Sequence, residues 1–158
     1  MIEALQNFTQ TLPEVVQWLA VMAIGAIPYV ESHGASLVGV AAGLPPVLAF
    51  VLAVLGNLLI TLPLILLAAR VRARVTGGRA KELTPRQQKV RRAFDRFGVA
   101  GVSLIGPILL PSQFTGPALV SIGAPRRNVI TWQVIAILAW GLLFTVLAGF
   151  GINLLAGR

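Results

Sequence analysis

An uncharged apolar run at residues 46–69 is the feature that most constrains how this chain can fold. Its 24 residues would form about 36 Å of helix, which exceeds the roughly 30 Å hydrocarbon core of a bilayer. A second long apolar run extends from about residue 128 to about residue 155. Only 11% of the residues are charged, whereas a soluble domain has about 25%. These features predict an all-α integral membrane protein.

The basic residues are concentrated between the two long runs. Residues 70–97 contain ten of the thirteen Lys and Arg residues and only two acidic residues, so this segment accounts for the formal net charge of +8. Basic segments between apolar spans remain on the cytoplasmic side of a membrane. We therefore predict that residues 70–97 form a cytoplasmic loop of a multi-pass protein in the inner (cell) membrane of a bacterium or archaeon. This distribution favours membrane lipids, and not nucleic acid, as the partner of the basic residues.

A polar segment from Pro28 to Gly34 interrupts the first apolar region. Within it, Glu31 is the only acidic residue between Glu14 and Glu82, and His33 is the only histidine of the chain. A carboxylate at bilayer depth is costly unless it faces a cavity or a partner, so Glu31 is a candidate functional residue. Glu31 and His33 are predicted to couple transport to protons. Alternatively, Glu31 only binds backbone N–H groups at the bend, and His33 pairs with it at a water-facing edge.

A second interruption, at residues 107–117, repeats this arrangement. Each interruption precedes a Gly-x-Pro sequence and a long apolar run, and equivalent positions are 80 to 82 residues apart. Short interrupted segments at matching places in two halves point to a transport site. Five residues are predicted to break the helices of these segments. They are Pro28, Gly34, Pro107, Pro111 and Gly116.

Polar residues near the two interruptions are candidates for lining a substrate site. They are Ser32, Asn57, Ser112, Gln113 and Thr115. The N-termini of half-helices at such breaks would present a positive dipole end to an anionic group. Two structural explanations remain open: the residues near the second break satisfy backbone groups that the prolines leave unpaired, and Asn57 makes a polar contact between helices.

The apolar arms on either side of each interruption are shorter than the ~20 residues of a spanning helix, which favours re-entrant hairpins. This topology also keeps Arg126 and Arg127 on the side of the basic segment. The predicted fold is an inverted repeat of a re-entrant helical hairpin followed by a transmembrane helix, in a single membrane domain. Its parts are a first repeat with an N-terminal interfacial helix (1–69), the basic loop (70–97) and a second repeat (98–158).

The order of these motifs resembles the small multidrug export protein family, which is related to the DedA (SNARE-associated) membrane proteins. The resemblance covers roughly residues 20–150. It rests on Glu31 with Pro28 and Gly34, on Gly43-Leu44-Pro45-Pro46, on Gly56-Asn57, and on residues 107–116 followed by Pro125-Arg126-Arg127.

The resemblance implies an inverted repeat whose two hairpins meet at mid-membrane, and a transport role. DedA-type proteins are linked to flipping of polyprenyl-phosphate or phospholipid carriers, often with proton dependence. The chain departs from the family at His33, where relatives carry an arginine. It also has Ser112-Gln113 in place of a glycine-rich turn.

These features favour a small transporter, proton-coupled, that moves a small amphiphilic molecule or a lipid carrier through a site between the two hairpin tips. The alternatives are a passive lipid scramblase or polyprenyl-phosphate flippase, and a structural membrane protein without transport. An enzyme is not predicted, because the chain has one histidine, no cysteine and neither HExxH nor GxSxG. No cofactor or metal is predicted. A homodimer is predicted, with Gly39-x-x-x-Gly43 as a candidate contact.

Overall fold

A computed structural model describes residues 2–75 and 85–156, and all regular secondary structure in these ranges is α-helical, as predicted. The described residues form seven helices. They are α1 (Ile2–Gln10), α2 (Glu14–Gly25), α3 (Glu31–Ala41), α4 (Pro46–Val75), α5 (Pro85–Leu109), α6 (Ser112–Ile122) and α7 (Arg126–Ala156).

Helices α4 and α7 are long and apolar enough to cross a membrane, over Pro46–Arg74 and Arg126–Gly151 respectively. At 1.5 Å per residue these segments measure about 44 and 39 Å. Many of their Leu, Ile and Val side chains are exposed in the single chain. Apolar surface on this scale is unusual in a soluble monomer and is expected where a helix faces lipid. The predicted long spans are therefore present as helices, and Pro63 lies inside α4 without ending it.

The segment predicted to form the basic loop is helical at both ends. Helix α4 continues through residues 70–75, and α5 begins at Pro85. Arginine is a good helix former, so the loss of apolar residues after 69 does not end the helix. Arg72 of α4 donates a 2.8 Å hydrogen bond to the carbonyl oxygen of Val120, near the negative C-terminal end of α6. Residues 76–84 lie outside the described residues, and the cytoplasmic placement stays a prediction.

The described chain forms two compact units whose boundaries fall inside the long helices. The first unit contains the residues up to Leu59 together with those from Ile137 onwards, and the second contains those between Ile60 and Ala136. The first unit therefore contains α1, α2 and α3, the second contains α5 and α6, and each unit also contains part of α4 and part of α7. The inverted relation of the two sequence halves stays a prediction.

In the first unit, α2 and α3 form a helical hairpin connected by residues 26–30. The hairpin packs on the first half of α4 through small residues. A Cβ atom at Gly39 would lie 2.8 Å from Cβ of Ala49, so this glycine is needed inside the unit. Gly43 has a φ of 97° and follows the end of α3, as is usual for a left-handed C-terminal residue. The two glycines proposed as a dimer contact thus have roles within one chain.

Helix α1 packs against the same hairpin. The side-chain amides of Gln6 and Gln10 both donate to the carbonyl oxygen of Ala41, at 3.3 and 3.1 Å. Ala41 is the last residue of α3, so these bonds satisfy a carbonyl that the helix leaves unpaired. The predicted N-terminal helix is present, and it supports the C-terminal end of α3.

In the second unit, the last part of α5 packs against α6. Helix α5 is kinked at Gly98, which has a φ of 67°. Ile65, Leu119 and Val129 are buried at the centre of this unit, so α4, α6 and α7 each contribute to its core. As in the first unit, the short helix is far from long enough to cross a bilayer, since 11 residues measure about 17 Å.

Three of the predicted helix breaks lie inside helices. Gly34 is in α3, Pro107 is in α5 and Gly116 is in α6, whereas Pro28 lies in the 26–30 connection and Pro111 immediately precedes α6. The glycines are needed for close packing: a Cβ at Gly34 would lie 2.7 Å from a methyl carbon of Val30, and one at Gly116 would lie 2.7 Å from Ile65. Membrane helices tolerate proline where neighbouring groups satisfy the freed carbonyl.

Candidate functional site

Glu31 is the first residue of α3 and is only 2% exposed, so its carboxyl group is buried inside the first unit. The backbone reaches this position through two residues with left-handed geometry, Tyr29 (φ 70°) and Glu31 itself (φ 51°). Neither is glycine, and such conformations cost about 1–3 kcal/mol each. The fold therefore holds this carboxylate by a strained bend, at the positive end of the α3 dipole.

Two serines that follow Glu31 attach α3 to the second half of α7. The Ser32 hydroxyl donates to the carbonyl oxygen of Ile137 at 2.8 Å. The Ser36 hydroxyl is within hydrogen-bond distance of the carbonyl oxygens of His33 (3.0 Å) and Gly141 (3.3 Å). Both hydroxyls are buried, and each such bond contributes about 1 kcal/mol. Ser32, predicted to line a substrate site, thus uses its donor to fix Glu31 against α7.

His33 lies in an aromatic cluster of the first unit. Its ring centroid is 5.2 Å from that of Phe144 and 6.4 Å from that of Trp140, with tilted ring planes. These distances are typical of favourable aromatic pairs. Its Nδ1 atom is buried and has no hydrogen-bond partner. The ring is therefore placed by packing against α7, and a role in proton transfer stays a prediction.

Asn57 is the fourth predicted site residue in the first unit. It is fully buried in α4, as expected for a polar residue of a spanning helix that faces other helices and not lipid. The sequence interpretation left two roles open for it, in a substrate site or in a contact between helices. Both roles require the burial that is observed.

The second unit contains a separate cluster of buried polar residues around the start of α6. The hydroxyl groups of Ser112 and Thr61 are 3.2 Å apart, which joins α6 to α4. The Thr115 hydroxyl is within 3.1 and 3.2 Å of the carbonyl oxygens of Pro111 and Leu110. Gln113 is 4% exposed. The contacts of Ser112 and Thr115 fit the structural explanation, in which polar side chains satisfy and fix the break in the chain.

Gln133 extends this cluster along α7. Its side-chain amide donates to the hydroxyl of Ser103 at 3.3 Å, and its Oε1 atom is buried without a hydrogen-bond partner. The Cγ atom of Gln133 lies 3.5 Å from the position of a Cβ at Gly116, so the absence of a side chain there makes room for it. A buried amide oxygen without a hydrogen-bond partner is costly, so Gln133 is a strained point of this cluster.

Sequence reasoning missed six of the buried polar residues in the described part of the chain. They are Thr9, Ser36, Thr61, Ser103, Gln133 and Thr145. Thr61, Ser103, Gln133 and Thr145 are polar residues among apolar neighbours in long helices, a pattern that in a membrane protein indicates a side chain facing the protein interior. The predicted residues divide between the units: Glu31, Ser32, His33 and Asn57 lie in the first, and Ser112, Gln113 and Thr115 lie in the second. A common cavity for both sets stays a prediction.

In a comparison with known families, a family model matches more than half of the chain. The model of the family described as "Putative small multi-drug export protein" matches residues 31–147. The matched region begins at Glu31 and extends into the second half of α7, so it includes all predicted polar site residues. No curated protein and no solved structure matches the chain.

Proposed function

The chain belongs to the small multi-drug export protein family, and from this premise we propose that it is a proton-coupled membrane transporter of a small amphiphilic molecule. The observation that carries the proposal is the buried carboxyl group of Glu31, held by a strained bend at the start of a short helix. An ionised carboxylate is costly in such a place unless it is paired, so its charge can change with the binding of a proton or of a cationic cargo.

Glu31 is the only buried acidic residue among the described residues. The other titratable side chains described in the first unit are Glu3, Glu14, Tyr29 and His33, of which the first three are exposed. The first halves of α3 and α4 and the second half of α7 add no charged group besides Glu31. Proton binding in this unit therefore depends on Glu31, with His33 as the one neighbour that can change charge near neutral pH.

We further propose that the α2–α3 hairpin is re-entrant. Helices α2 and α3 have 12 and 11 residues, so each reaches only about 17–18 Å, roughly half of the hydrocarbon core. A hairpin of this length returns to the side from which it enters, and the 26–30 connection, with Glu31 directly after it, then lies near mid-membrane. Non-helical backbone at that depth is tolerated only when it is buried in protein or lines a cavity.

Proteoliposomes with an imposed pH gradient test the coupling role of Glu31. We expect Glu31→Gln to abolish gradient-driven movement of a cationic dye, because the amide cannot bind or release a proton. Glu14→Gln is the matched control, since Glu14 is an exposed acid at the start of α2. Gradient-driven transport by Glu31→Gln at the wild-type rate would exclude Glu31 as the coupling residue.

A labelled lipid phosphate in the same vesicles separates the alternatives. Movement of the lipid without a gradient, and equally in Glu31→Gln, would favour a passive scramblase. No movement of either cargo by the wild-type protein would favour a structural role.

The side of the membrane on which α7 begins tests the topology of the second hairpin. The sequence contains no cysteine, so single-cysteine variants can be made without removing native thiols. Arg127 and Arg70 are both exposed, at the start of α7 and near the end of α4. If the second hairpin is re-entrant from the cytoplasm, an impermeant thiol reagent should label Arg127→Cys and Arg70→Cys only after the membrane is opened. Labelling of Arg127→Cys alone in intact cells would overturn this topology.

A further inference from the structure

Exposed arginines of the second unit form the most strongly charged surface of the described chain. Among the described residues of this unit, Asp95 is the only acidic one, and its carboxylate is 3.0 Å from the guanidinium of Arg91. Six other arginines of the unit are exposed, and we call them the basic belt. They are Arg70 and Arg74 of α4, Arg92 and Arg96 of α5, and Arg126 and Arg127 of α7. This surface therefore has a large excess of positive charge.

Two hydrogen bonds bring the end of α4 and the basic part of α5 together at the end of α6. Arg72 of α4 donates to the carbonyl oxygen of Val120 at 2.8 Å, and Arg91 of α5 donates to that of Ile122 at 3.5 Å. Both acceptors are in the last turn of α6, where cations are favourable, and α7 begins four residues after Ile122. The span of α4 ends, and that of α7 begins, within the basic belt. The belt therefore lies where both spans reach the membrane surface.

A kink at Gly98 separates the basic part of α5 from its apolar part. Residues 85–97 include five basic residues, whereas residues 99–109 include no charged residue. Gly98 has a φ of 67°, which glycine adopts without strain, so the helix axis changes direction between the two parts. A Cβ atom at Gly101 would lie 2.5 Å from Cβ of Phe97, so the missing side chain there lets Phe97 lie against the start of the apolar part.

Phe97 lies at the boundary between the basic belt and apolar surface. Its ring is exposed, and Ile105, Ile108 and Leu109 are exposed further along the apolar part of α5. The guanidinium carbon of Arg96 is 5.0 Å from the centroid of the Phe97 ring. An exposed aromatic ring beside a long cationic side chain suits the interface of a bilayer, because the ring enters the acyl region while the cation reaches the headgroups.

We propose that the basic part of α5 lies along the membrane surface and that the basic belt binds the phosphates of anionic lipids, with Phe97 inserted among the acyl chains. Charge complementarity selects anionic headgroups over zwitterionic ones. The exposed ring and the adjoining ends of two spans favour lipid over nucleic acid as the partner. The inference goes beyond the proposed export function, since all belt residues belong to the second unit and Glu31 belongs to the first.

Electron spin resonance of chain-labelled lipids, in bilayers that contain the whole protein, measures which lipids contact it. We expect labelled phosphatidylglycerol to be preferred over labelled phosphatidylcholine. The double variant Arg92→Gln/Arg96→Gln should reduce this preference by about twofold or more, because each arginine near an anionic surface contributes a factor of about five. Arg92→Lys/Arg96→Lys is the matched control and should keep the preference, since both positive charges remain.

A second pair, on another helix, guards against a local disturbance of α5. Arg126→Gln/Arg127→Gln, at exposed positions of α7, should reduce the preference to a similar extent. No preference for phosphatidylglycerol in the wild-type protein would overturn the proposal. An unchanged preference in both glutamine pairs would overturn it as well, because the belt would then not be the surface that selects the lipid.

Spin labels on α5 test its placement at the membrane surface. Phe97 and Asp95 are both exposed and are about 200° apart around the helix. A nitroxide at Phe97→Cys should collide more often with oxygen, which concentrates in the acyl region, than with a water-soluble nickel chelate. The nitroxide at Asp95→Cys should show the reverse. Greater collision with the nickel chelate at both positions would show that this part of α5 does not lie on the bilayer.

Two further results separate the lipid surface from other roles. A fluorescent double-stranded oligonucleotide should bind equally to wild type and to Arg92→Gln/Arg96→Gln in phosphatidylglycerol nanodiscs. Loss of oligonucleotide binding in this variant, with an unchanged lipid preference, would assign the belt to nucleic acid and overturn the proposal. Glu31→Gln should keep the wild-type lipid preference whatever its effect on transport, and loss of the preference in it would overturn a lipid surface confined to the second unit.

Discussion

The contact between α2 and α4 at Gly56 shows how tightly the hairpin that carries Glu31 is held. A Cβ atom at Gly56 would overlap the carbonyl oxygen of Met22 and lie 2.7 Å from its carbonyl carbon. Non-bonded carbons pack at about 3.5–4.0 Å, so Gly56→Ala must separate the two helices by roughly 1 Å. Both partners are backbone atoms and cannot rotate away. We expect a loss of about 2–3 kcal/mol in the free energy of unfolding, the upper part of the range for overpacking.

Unfolding in mixed micelles, by titration with sodium dodecyl sulfate and detection of tryptophan fluorescence, measures this loss. Gly149→Ala is the matched control, since the same methyl group there has nothing within 4 Å. The control should be unchanged or more stable by up to about 1 kcal/mol, because alanine has the higher helix propensity. Equal stability of Gly56→Ala and Gly149→Ala would show that α2 and α4 are not in backbone contact, and the reasoning would be refuted.

Two other predictions concern the strained bend and the polar cluster of the second unit. Tyr29→Gly should stabilise the protein by about 1 kcal/mol in thermal unfolding, because glycine adopts the φ of 70° without strain and the 63% exposed tyrosine makes few contacts to lose. Tyr29→Ala keeps the backbone strain and is the control. An equal gain in stability by Tyr29→Ala would contradict the explanation. Ser112→Ala and Thr61→Val should couple by about 1 kcal/mol in a double-mutant cycle of unfolding free energies, as expected for a buried hydrogen bond. As a control, the effects of Ser121→Ala, at an exposed serine, and Thr61→Val on the free energy of unfolding should be additive. If the effects of Ser112→Ala and Thr61→Val were additive as well, the hydrogen bond between Ser112 and Thr61 would be excluded.

The positions of the helix breaks show where local sequence is informative. Prolines 28 and 111 lie at or beside the connections, as their missing N–H groups would suggest. Gly34 and Gly116, predicted as breaks with them, are helical and leave room for Val30 and Ile65. A glycine that allows a turn and a glycine that allows close packing look the same in sequence, because the difference depends on which atoms lie opposite.

The end of α4 shows a second limit of local reasoning. The apolar run stops at residue 69, but the helix continues to Val75. The arginines in this extension maintain the helix, and Arg72 has a partner in the second unit, the carbonyl oxygen of Val120. Hydropathy reports where lipid ends along a helix, whereas hydrogen bonding decides where the helix itself ends.

The amino-acid sequence alone determined the helical class, the two long apolar helices and Glu31 as the residue of greatest interest, because each follows from composition and from the cost of charge in an apolar medium. Tertiary structure decided which polar side chains hold the chain together, that Ser32 bonds to Ile137 and that His33 packs among aromatic rings. These features depend on contacts between residues about one hundred positions apart, which no local pattern in the sequence encodes.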